Sequence, residues 1–281
     1  MIPVLLRIGP LTVYSYGLMM ALGFIAGDYV LTRECRRRGI SAEFANALVL
    51  WGAIAGIVGS RIYAVLDDLP AYLADPKAII FSGSGFVFYG GLIAGILSTW
   101  IVSRRHGVPF ARTTDLCVAP LVLGQAFGRM GCQLSGDGDW GLPSTVSWAM
   151  AYPRAIVGWN EHTVLKLGPH DTLVSGFFPG VRVLPTPIFE STIYVIIFAV
   201  LIAALRRPHR DGHITSLYLI LAGLERFVVE FWRINPRVLW GLTEAQLISA
   251  GMILTGTVIL LLMQAREGRG MAAQSREVAS A

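Results

Sequence analysis

The sequence predicts an all-α polytopic membrane protein with seven transmembrane helices. Of its 281 residues, 54% are hydrophobic and 15% are charged, whereas about 25% charged residues is usual for a soluble domain. The apolar residues cluster in blocks of about 20, the length at which a helix crosses the hydrocarbon core of a bilayer. The basic residues lie in short loops beside these blocks. The net charge of +5 therefore reflects membrane topology and indicates no nucleic-acid partner.

Seven apolar blocks define the predicted spans, at residues 13–32, 43–65, 86–103, 114–134, 187–205, 214–232 and 244–264. The loops after the first, third and fifth spans and the C-terminal tail together hold thirteen arginines, and the opposite side holds seven basic residues. Because basic loops stay in the cytosol, this asymmetry predicts an outer N-terminus and a cytoplasmic C-terminus. The first helix is expected to direct insertion without a cleaved signal peptide.

The chain is predicted to be a single membrane domain, residues 1–281, with one long insertion. Residues 135–186, between the fourth and fifth spans, are rich in Gly, Pro, Trp and Ser. A loop of this length on the outer face predicts a small head or lid. A second outer segment, residues 67–85, could hold a short surface helix. The halves of the chain show no matched broken helices, which disfavours an inverted-repeat transporter.

Several ionisable residues fall inside the predicted spans. A centrally placed arginine costs at least ~2.5–3.5 kcal/mol on insertion scales, so such residues face the bundle interior or water and are functional candidates. Arg61 lies in the second span, and it could instead be a snorkelling anchor. Arg226 and Glu230 lie four apart on one helical face, where they could form an ion pair that only locks packing. Glu190 lies near the outer end of the fifth span.

Several other polar residues are not expected to take part in a functional site. Glu225 and Arg233 are expected at the membrane interface, and Asp28 near the cytosolic side. His162 and His170 lack the spacing of metal ligands. Three scattered cysteines are too few for a disulfide framework or a zinc site. No metal is therefore expected; the cysteines are Cys35, Cys117 and Cys132.

Residues 128–141, GRMGCQLSGDGDWG, bring an arginine, two aspartates and five glycines to the end of the fourth span. Guanidinium groups bind phosphate oxygens in a bidentate manner, and a dry environment strengthens the contact. Glycines let the backbone approach a ligand and present its N–H donors. Three arginines within the predicted spans, Arg61, Arg129 and Arg226, have few acids to compensate their charge, and this predicts an anionic ligand. In a membrane, the natural one is the phosphate of a lipid headgroup.

The ordered motifs of the chain resemble those of the prolipoprotein diacylglyceryl transferase family. Residues 128–141 resemble its signature, Gly-Arg-x-Gly-Asn-Phe-x-Asn-x-Glu-x-x-Gly, with one extra residue. Similar matches occur in VYSYGLMMALGF with Tyr16, in GSRIYAVL with Arg61 and in FVFYGGLIAG with Tyr89. WGLPSTVSWAMAYP, LPTPIFE and ERFVVEFWR match further blocks in order. The resemblance covers nearly the whole chain.

The resemblance implies a transferase of the bacterial cytoplasmic (inner) membrane. Such an enzyme moves the diacylglyceryl group of phosphatidylglycerol to the thiol of the lipobox cysteine in a prolipoprotein, which forms a thioether and releases glycerol phosphate. The resemblance also implies a seven-helix body with a small periplasmic head, a periplasmic N-terminus and a cytoplasmic C-terminus. The implied partners are phosphatidylglycerol, the prolipoprotein signal peptide and membrane lipid, and no cofactor is expected.

The family's functional roles carry over to individual positions of this chain. Arg129 and Arg226 would hold and polarise the lipid phosphate, Glu230 would orient them, and Tyr89 would hydrogen-bond the headgroup or the reacting thiol. These four are the catalytic candidates. The nucleophile belongs to the substrate, and the sequence identifies no base for it. The substrate-binding candidates are Arg61, Tyr16, Gly128, Gly131, Cys132, Ser135, Asp137, Asp139 and Glu190.

Three positions of the signature depart from the family pattern. Cys132 and Ser135 replace its two asparagines, and its glutamate corresponds to Asp137 or to Asp139, depending on where the extra residue is placed. A thiol is a weak hydrogen-bonding group compared with an amide. A related transferase with a similar lipid donor and another acceptor therefore stays open, and a lipid-binding or transport protein is a further alternative. A retinal protein is excluded, because the seventh span has no lysine.

Overall fold

A computed structural model describes residues 1–9, 11–74, 87–156 and 182–279. Within these residues the chain is mostly helical, and a helix occupies each of the seven segments that the sequence predicts as spans. A short extra helix lies in the predicted surface segment. The helices are α1 (Ser15–Arg37), α2 (Ala42–Asp67), α3 (Leu69–Ala74), α4 (Phe88–Arg105), α5 (Phe110–Ser135), α6 (Thr186–Leu205), α7 (His213–Val229) and α8 (Glu244–Ala279).

Three helical stretches within the described residues are long and apolar enough to cross a membrane by length and composition. They are α2, α6 and the Glu244–Ala265 part of α8. These stretches, together with the composition of the chain, are those of a membrane protein. That all seven long helices span the bilayer stays a prediction.

The described residues also contain three two-stranded antiparallel sheets, so the prediction of a purely helical chain is incomplete. The strands are β1 (Val4–Ile8) with β2 (Leu11–Tyr14), β3 (Met150–Ala151) with β4 (Arg182–Val183), and β5 (Arg237–Leu239) with β6 (Leu242–Thr243). The first pair precedes α1 and the other two lie between helices, and such short pairs carry no long alternating pattern in the sequence. The β5–β6 turn places Trp240 and Gly241 at positive φ, 51° and 75°.

The chain forms two compact units, of which the first comprises Met1–Gly27 and Val118–Ala281. Its apolar core lies between α5, α6 and α7, where Val122, Leu201 and Ile214 are completely buried. The Ser191 hydroxyl donates to the carbonyl of Ala126 at 3.0 Å and joins α6 to α5. This packing brings the C-terminal end of α5 and the N-terminal end of α6 side by side.

A small apolar cluster lies just after α5. Trp140 and Tyr152 stack with ring centroids 4.8 Å apart, and both pack against buried Val183. Tyr152 donates its hydroxyl hydrogen bond to Gln133 at 2.8 Å. Burial raises the pKa of Tyr152 to about 12, so the phenol is a protonated donor at neutral pH. The cluster belongs to the predicted head, 135–186; His162 and His170 lie outside the described residues.

The second unit comprises Asp28–Cys117. In it α2 and α4 cross in backbone contact, because glycines face each other at the crossing. A Cβ atom added to Gly90 would collide with the carbonyl oxygen of Gly59 and with the Cβ of Tyr63. The Val87 N–H also donates to the Ser60 carbonyl at 3.2 Å. Small residues at a helix crossing permit this close approach.

Gly90→Ala tests this contact. We expect it to destabilise the protein by about 1–3 kcal/mol, since an extra methyl group must force the two backbones apart. The matched control is Gly95→Ala in the same helix, where an added Cβ meets nothing within 4 Å and the better helix propensity of alanine applies. Thermal unfolding of the solubilised protein measures both. Equal midpoints for the two variants would contradict the tight crossing.

Candidate functional site

The first unit brings six charged side chains together where the C-terminal ends of α5 and α7 meet the N-terminal end of α6. Arg129 lies in the last two turns of α5, and Glu190 lies in the first turns of α6. Arg226 lies in the last turn of α7, and Glu230 begins the 3₁₀ turn that follows it. These positions confirm that Arg226 and Glu230 share one helical face, since Arg226 Nη2 lies 2.8 Å from Glu230 Oε2.

Glu190 is the centre of this cluster. Its side chain has no exposed surface, and one oxygen, Oε2, lies 2.8 Å from Arg129 Nε. Its other oxygen, Oε1, lies 3.0 Å from Arg226 Nη1. The two arginines therefore bind the two different oxygens of a single carboxylate.

Arg233 contacts all three carboxylates of the cluster. Its Nη2 lies 2.5 Å from Asp139, its Nη1 3.3 Å from Glu190 and its Nε 3.7 Å from Glu230. Only 7% of its side chain is exposed. The structure therefore places Arg233 among the carboxylates of the cluster, and its expected position at the membrane interface stays a prediction. Arg233 lies three residues after Glu230, just past the end of the 3₁₀ turn.

Of the two candidates for the signature's glutamate, Asp137 and Asp139, it is Asp139 that pairs with the arginines. Its carboxylate forms ion pairs with Arg129 and with Arg233, whereas Asp137 accepts the Asp139 N–H at 3.3 Å. The positive φ of Gly136 and Gly138, 66° and 98°, shapes the loop that aims Asp139 at the arginines. Burial raises the pKa of the Asp139 carboxyl, but Arg233 and Arg129 outweigh this effect and hold that pKa below its ordinary value.

The cluster is balanced in charge, with three guanidinium groups and three carboxylates. The prediction of arginines with few compensating acids is therefore wrong for Arg129 and Arg226. Asp139 and Glu190 are distant in sequence, so their convergence is visible only in the fold. Even so, the contacts with described residues use Nη1 and Nε of Arg129 and Nη1 and Nη2 of Arg226. Both side chains keep about a fifth of their surface exposed, 22% and 21%.

Asn235 donates to Glu230 Oε1 at 2.6 Å and adds an amide to the cluster. Glu225, next to Arg226 in α7, is 5% exposed, and so is Tyr194 on α6. Glu225 is thus buried within the protein, and its expected position at the membrane interface stays a prediction. No motif in the sequence marked Tyr194 or Asn235 in advance.

The remaining predicted residues of α1 and α5 lie close to Arg129. Cys132 is 8% exposed, and the Ser135 hydroxyl donates to its carbonyl at 3.3 Å within the helix. A Cβ on Gly131 would lie 3.1 Å from the Tyr16 ring, so this glycine permits the contact of α1 with α5. At Gly128 the nearest atom to such a Cβ is a Met sulfur at 3.9 Å, which leaves room beside Arg129.

Arg61 and Tyr89 belong to the other compact unit, on α2 and at the start of α4. Tyr89 is 39% exposed. Their membership of one site with the arginine cluster stays a prediction.

One group of potential metal ligands lies at the edge of the cluster. Cys132, Asp137 and Asp139 place one ligand atom each within 4.8 Å of one another. Asp139, however, already pairs with two guanidinium groups, and a cation there would have to compete with both. We assign no metal to this group.

A charge-balanced network of arginines and carboxylates at the ends of apolar helices is a polar site within a membrane protein. The comparisons give the family. The sequence profile of the prolipoprotein diacylglyceryl transferases matches residues 3–262. The chain belongs to this family.

Curated relatives cover nearly the whole chain. A phosphatidylglycerol–prolipoprotein diacylglyceryl transferase of Azotobacter vinelandii is 33% identical over 95% of this chain and 96% of its own length. Proteins with the same name from Thermotoga maritima and Clostridium tetani are 30% and 29% identical. The alignment with the Thermotoga maritima protein covers 93% of this chain and 85% of that protein. The alignment with the Clostridium tetani protein covers 92% of this chain and 96% of that protein.

Glu190→Gln tests the centre of the cluster. We expect a loss of about 3–5 kcal/mol in the free energy of unfolding, because three guanidinium groups would lose their shared counter-ion. Glu43→Gln is the control: this glutamate is exposed at the start of α2, where such a change stays within about 0.5 kcal/mol. Thermal unfolding in detergent compares the two. A Glu190→Gln midpoint equal to that of the control would show that the network does not depend on this carboxylate.

Proposed function

We propose that this chain transfers the diacylglyceryl group of phosphatidylglycerol to the thiol of a lipobox cysteine in a prolipoprotein. The sulfur forms a bond with the glyceryl carbon, the bond from that carbon to the phosphate oxygen breaks, and glycerol phosphate leaves. The product is the thioether-linked precursor of a lipoprotein. Membership of the family and the names of the curated relatives support this activity.

The observation that carries the proposal is the pair Arg129 and Arg226. The two guanidinium groups flank Glu190 at 2.8 and 3.0 Å, and each keeps part of its surface exposed. A phosphate placed over the pair would receive charge-assisted hydrogen bonds on two oxygens. Because the departing group gains negative charge as the bond to carbon breaks, these donors stabilise the transition state more than the bound lipid.

Other residues have supporting roles in this proposal. Glu230 orients Arg226, and Glu190 holds both phosphate-binding arginines. Tyr16, with Gly128, Gly131, Cys132, Ser135, Asp137 and Asp139, lines the substrate side of the cluster. For Arg61 and Tyr89, which lie on the second unit, we propose the roles that the family resemblance implies, substrate binding for Arg61 and catalysis for Tyr89. No cofactor takes part.

A changed acceptor is the second candidate function. It is favoured by Cys132 and Ser135, which stand where the family signature has asparagines. The Ser135 hydroxyl is directed to the helix backbone, so it does not replace an amide side chain facing the substrate. Under this alternative the lipid donor and the roles of Arg129 and Arg226 are unchanged.

We also propose that the protein is a multi-pass protein of the bacterial inner membrane. In this arrangement α1, α2 and α4–α8 are the seven spans, the N-terminus is periplasmic and the C-terminus is cytoplasmic. Residues 135–186 form a periplasmic head inserted in a single membrane domain. The excess of arginine in the loops after α1, α4 and α6 supports the orientation.

The activity is tested with purified protein, phosphatidylglycerol and a lipobox peptide, and the thioether product is read by mass spectrometry. We expect product from the native chain and a loss of at least about 100-fold with Arg129→Ala, the scale of removing one charge-stabilising donor. Arg207→Ala, on an exposed loop, is the matched control and should retain native activity. Folded native protein that yields no thioether but still binds the lipid would favour the changed acceptor.

The orientation is tested by cysteine labelling in intact spheroplasts with a membrane-impermeant maleimide. Ile2→Cys, at a residue with 57% exposure, should label without permeabilisation. His209→Cys, in the arginine-rich loop after α6, should label only after permeabilisation. The native chain, whose three cysteines are wholly or partly buried, gives the background. The opposite labelling pattern would reverse the proposed topology.

A further inference from the structure

The balanced charge of the cluster has a consequence for lipid binding. Three guanidinium groups meet three carboxylates, Asp139, Glu190 and Glu230, so a phosphate diester adds a fourth negative charge. An uncompensated buried charge costs several kcal/mol. A phosphate that takes the donors of an arginine in the cluster therefore competes with a carboxylate already bound there.

Asp139 is the carboxylate that can leave at the lowest cost. Glu190 and Glu230 are fully buried, whereas the Asp139 side chain is 33% exposed. Glu190 is shared by three arginines, and Glu230 is held by Arg226, Arg233 and Asn235. Asp139 pairs with Arg129 through one oxygen and with Arg233 through the other.

The main chain at Asp139 is held independently of its carboxylate. The Thr186 hydroxyl donates to the Asp139 carbonyl at 2.8 Å, and the Asp139 N–H is bound by Asp137. The carboxylate can therefore turn away from Arg129 by side-chain rotation, without unfolding the loop. After rotation it remains within the site.

We propose that the lipid phosphate displaces the Asp139 carboxylate from Arg129 and that the released carboxylate accepts the proton of the incoming thiol. This inference rests on the proposed function and supplies the base that the sequence does not identify. Asp139 lies beside the arginine that receives the phosphate, so the base is released where the reaction takes place.

Displacement also makes the carboxylate a better base. Burial raises the pKa of Asp139 and its arginines lower it, with Arg233 and Arg129 the largest of these influences. When the phosphate binds Arg129 in place of Asp139, Asp139 loses the influence of Arg129, and the pKa of the Asp139 carboxyl rises. A base whose pKa moves towards neutrality is more effective in proton transfer.

The proposed step is balanced. The S–H proton moves to an oxygen of Asp139, the sulfur electron pair forms the bond to the glyceryl carbon, and the electron pair of the breaking C–O bond leaves with glycerol phosphate. Release of the product returns Arg129 to Asp139, which loses its proton to water or to the departing phosphate. The thiol is activated only while a lipid is bound.

The first test measures binding without the peptide. Short-chain phosphatidylglycerol is titrated into delipidated native protein, Asp139→Asn and the control Glu43→Gln. Asp139→Asn is expected to bind at least as tightly as native protein, because the competing carboxylate charge is absent. Weaker binding by Asp139→Asn would overturn the displacement.

The second test measures transfer to the peptide against pH. Asp139→Asn is expected to lose about 100-fold or more in kcat, the usual contribution of a positioned base. Its rate should then rise about tenfold per pH unit from pH 6 to 8, since the thiol, with a pKa of about 8.5, must ionise unaided. The native rate should rise less steeply, and Asp139→Glu, which keeps a base, should recover most of the activity.

Several groups other than Asp139 could shape the native pH profile, so the comparison between variants carries the conclusion. Within the described residues, the charged and titratable side chains around Asp139 are Arg129 and Cys132 of α5, Glu190 of α6, Arg226 of α7, Arg233, Tyr16 of α1 and Asp137. All of these are unchanged in Asp139→Asn. A native rate in Asp139→Asn, or the same pH slope in both proteins, would overturn the role as base.

Failure of the proposed function would look different. In that case the native protein itself would form no thioether, and the role of Asp139 as base would fall with the reaction. If the native protein is active and Asp139→Asn binds lipid but does not transfer, both proposals are supported. Loss of activity in Asp139→Glu as well as Asp139→Asn, with weakened lipid binding in both, would assign Asp139 a purely structural role.

Discussion

The shared carboxylate of Glu190 is the interaction on which the site depends. It is fully buried and binds Arg129, Arg226 and Arg233, which come from α5, α7 and the turn that follows α7. Three guanidinium groups at this distance would repel one another without it. Through this one side chain, α5, α6 and α7 are held in a single arrangement where their ends meet at the cluster.

The cluster must also remain stable between catalytic cycles, when no lipid phosphate is bound. Arginines without carboxylate partners would have a large free-energy cost of desolvation whenever no anion is bound. Their carboxylate partners remove this cost by neutralising the resting state. Under the proposed displacement, lipid binding is an exchange of anions, and its free energy is the difference between two sets of charge-assisted hydrogen bonds. Such a site favours a ligand that is both anionic and able to accept several donors.

Most of the fold could be predicted from the sequence, because a run of about 20 apolar residues is a local property and each of the seven runs forms a helix. The Arg226–Glu230 pair could be predicted for the same reason, from a spacing within one helix. The contacts of Arg233 could not be predicted, because this residue lies beyond the helix and its partners Asp139 and Glu190 are distant in sequence. The choice between Asp137 and Asp139 could not be made, since it depends on the loop conformation at Gly136 and Gly138.

The glycine contact between α2 and α4 affects how two of the predicted substrate residues are held. Arg61 follows Gly59 by two residues, and Tyr89 immediately precedes Gly90. Because the helices touch through main-chain atoms at this point, the distance between the Cα atoms of Arg61 and Tyr89 is set by the backbone alone. Apolar residues elsewhere on α2 and α4 can therefore be substituted without changing the distance between the backbones of Arg61 and Tyr89.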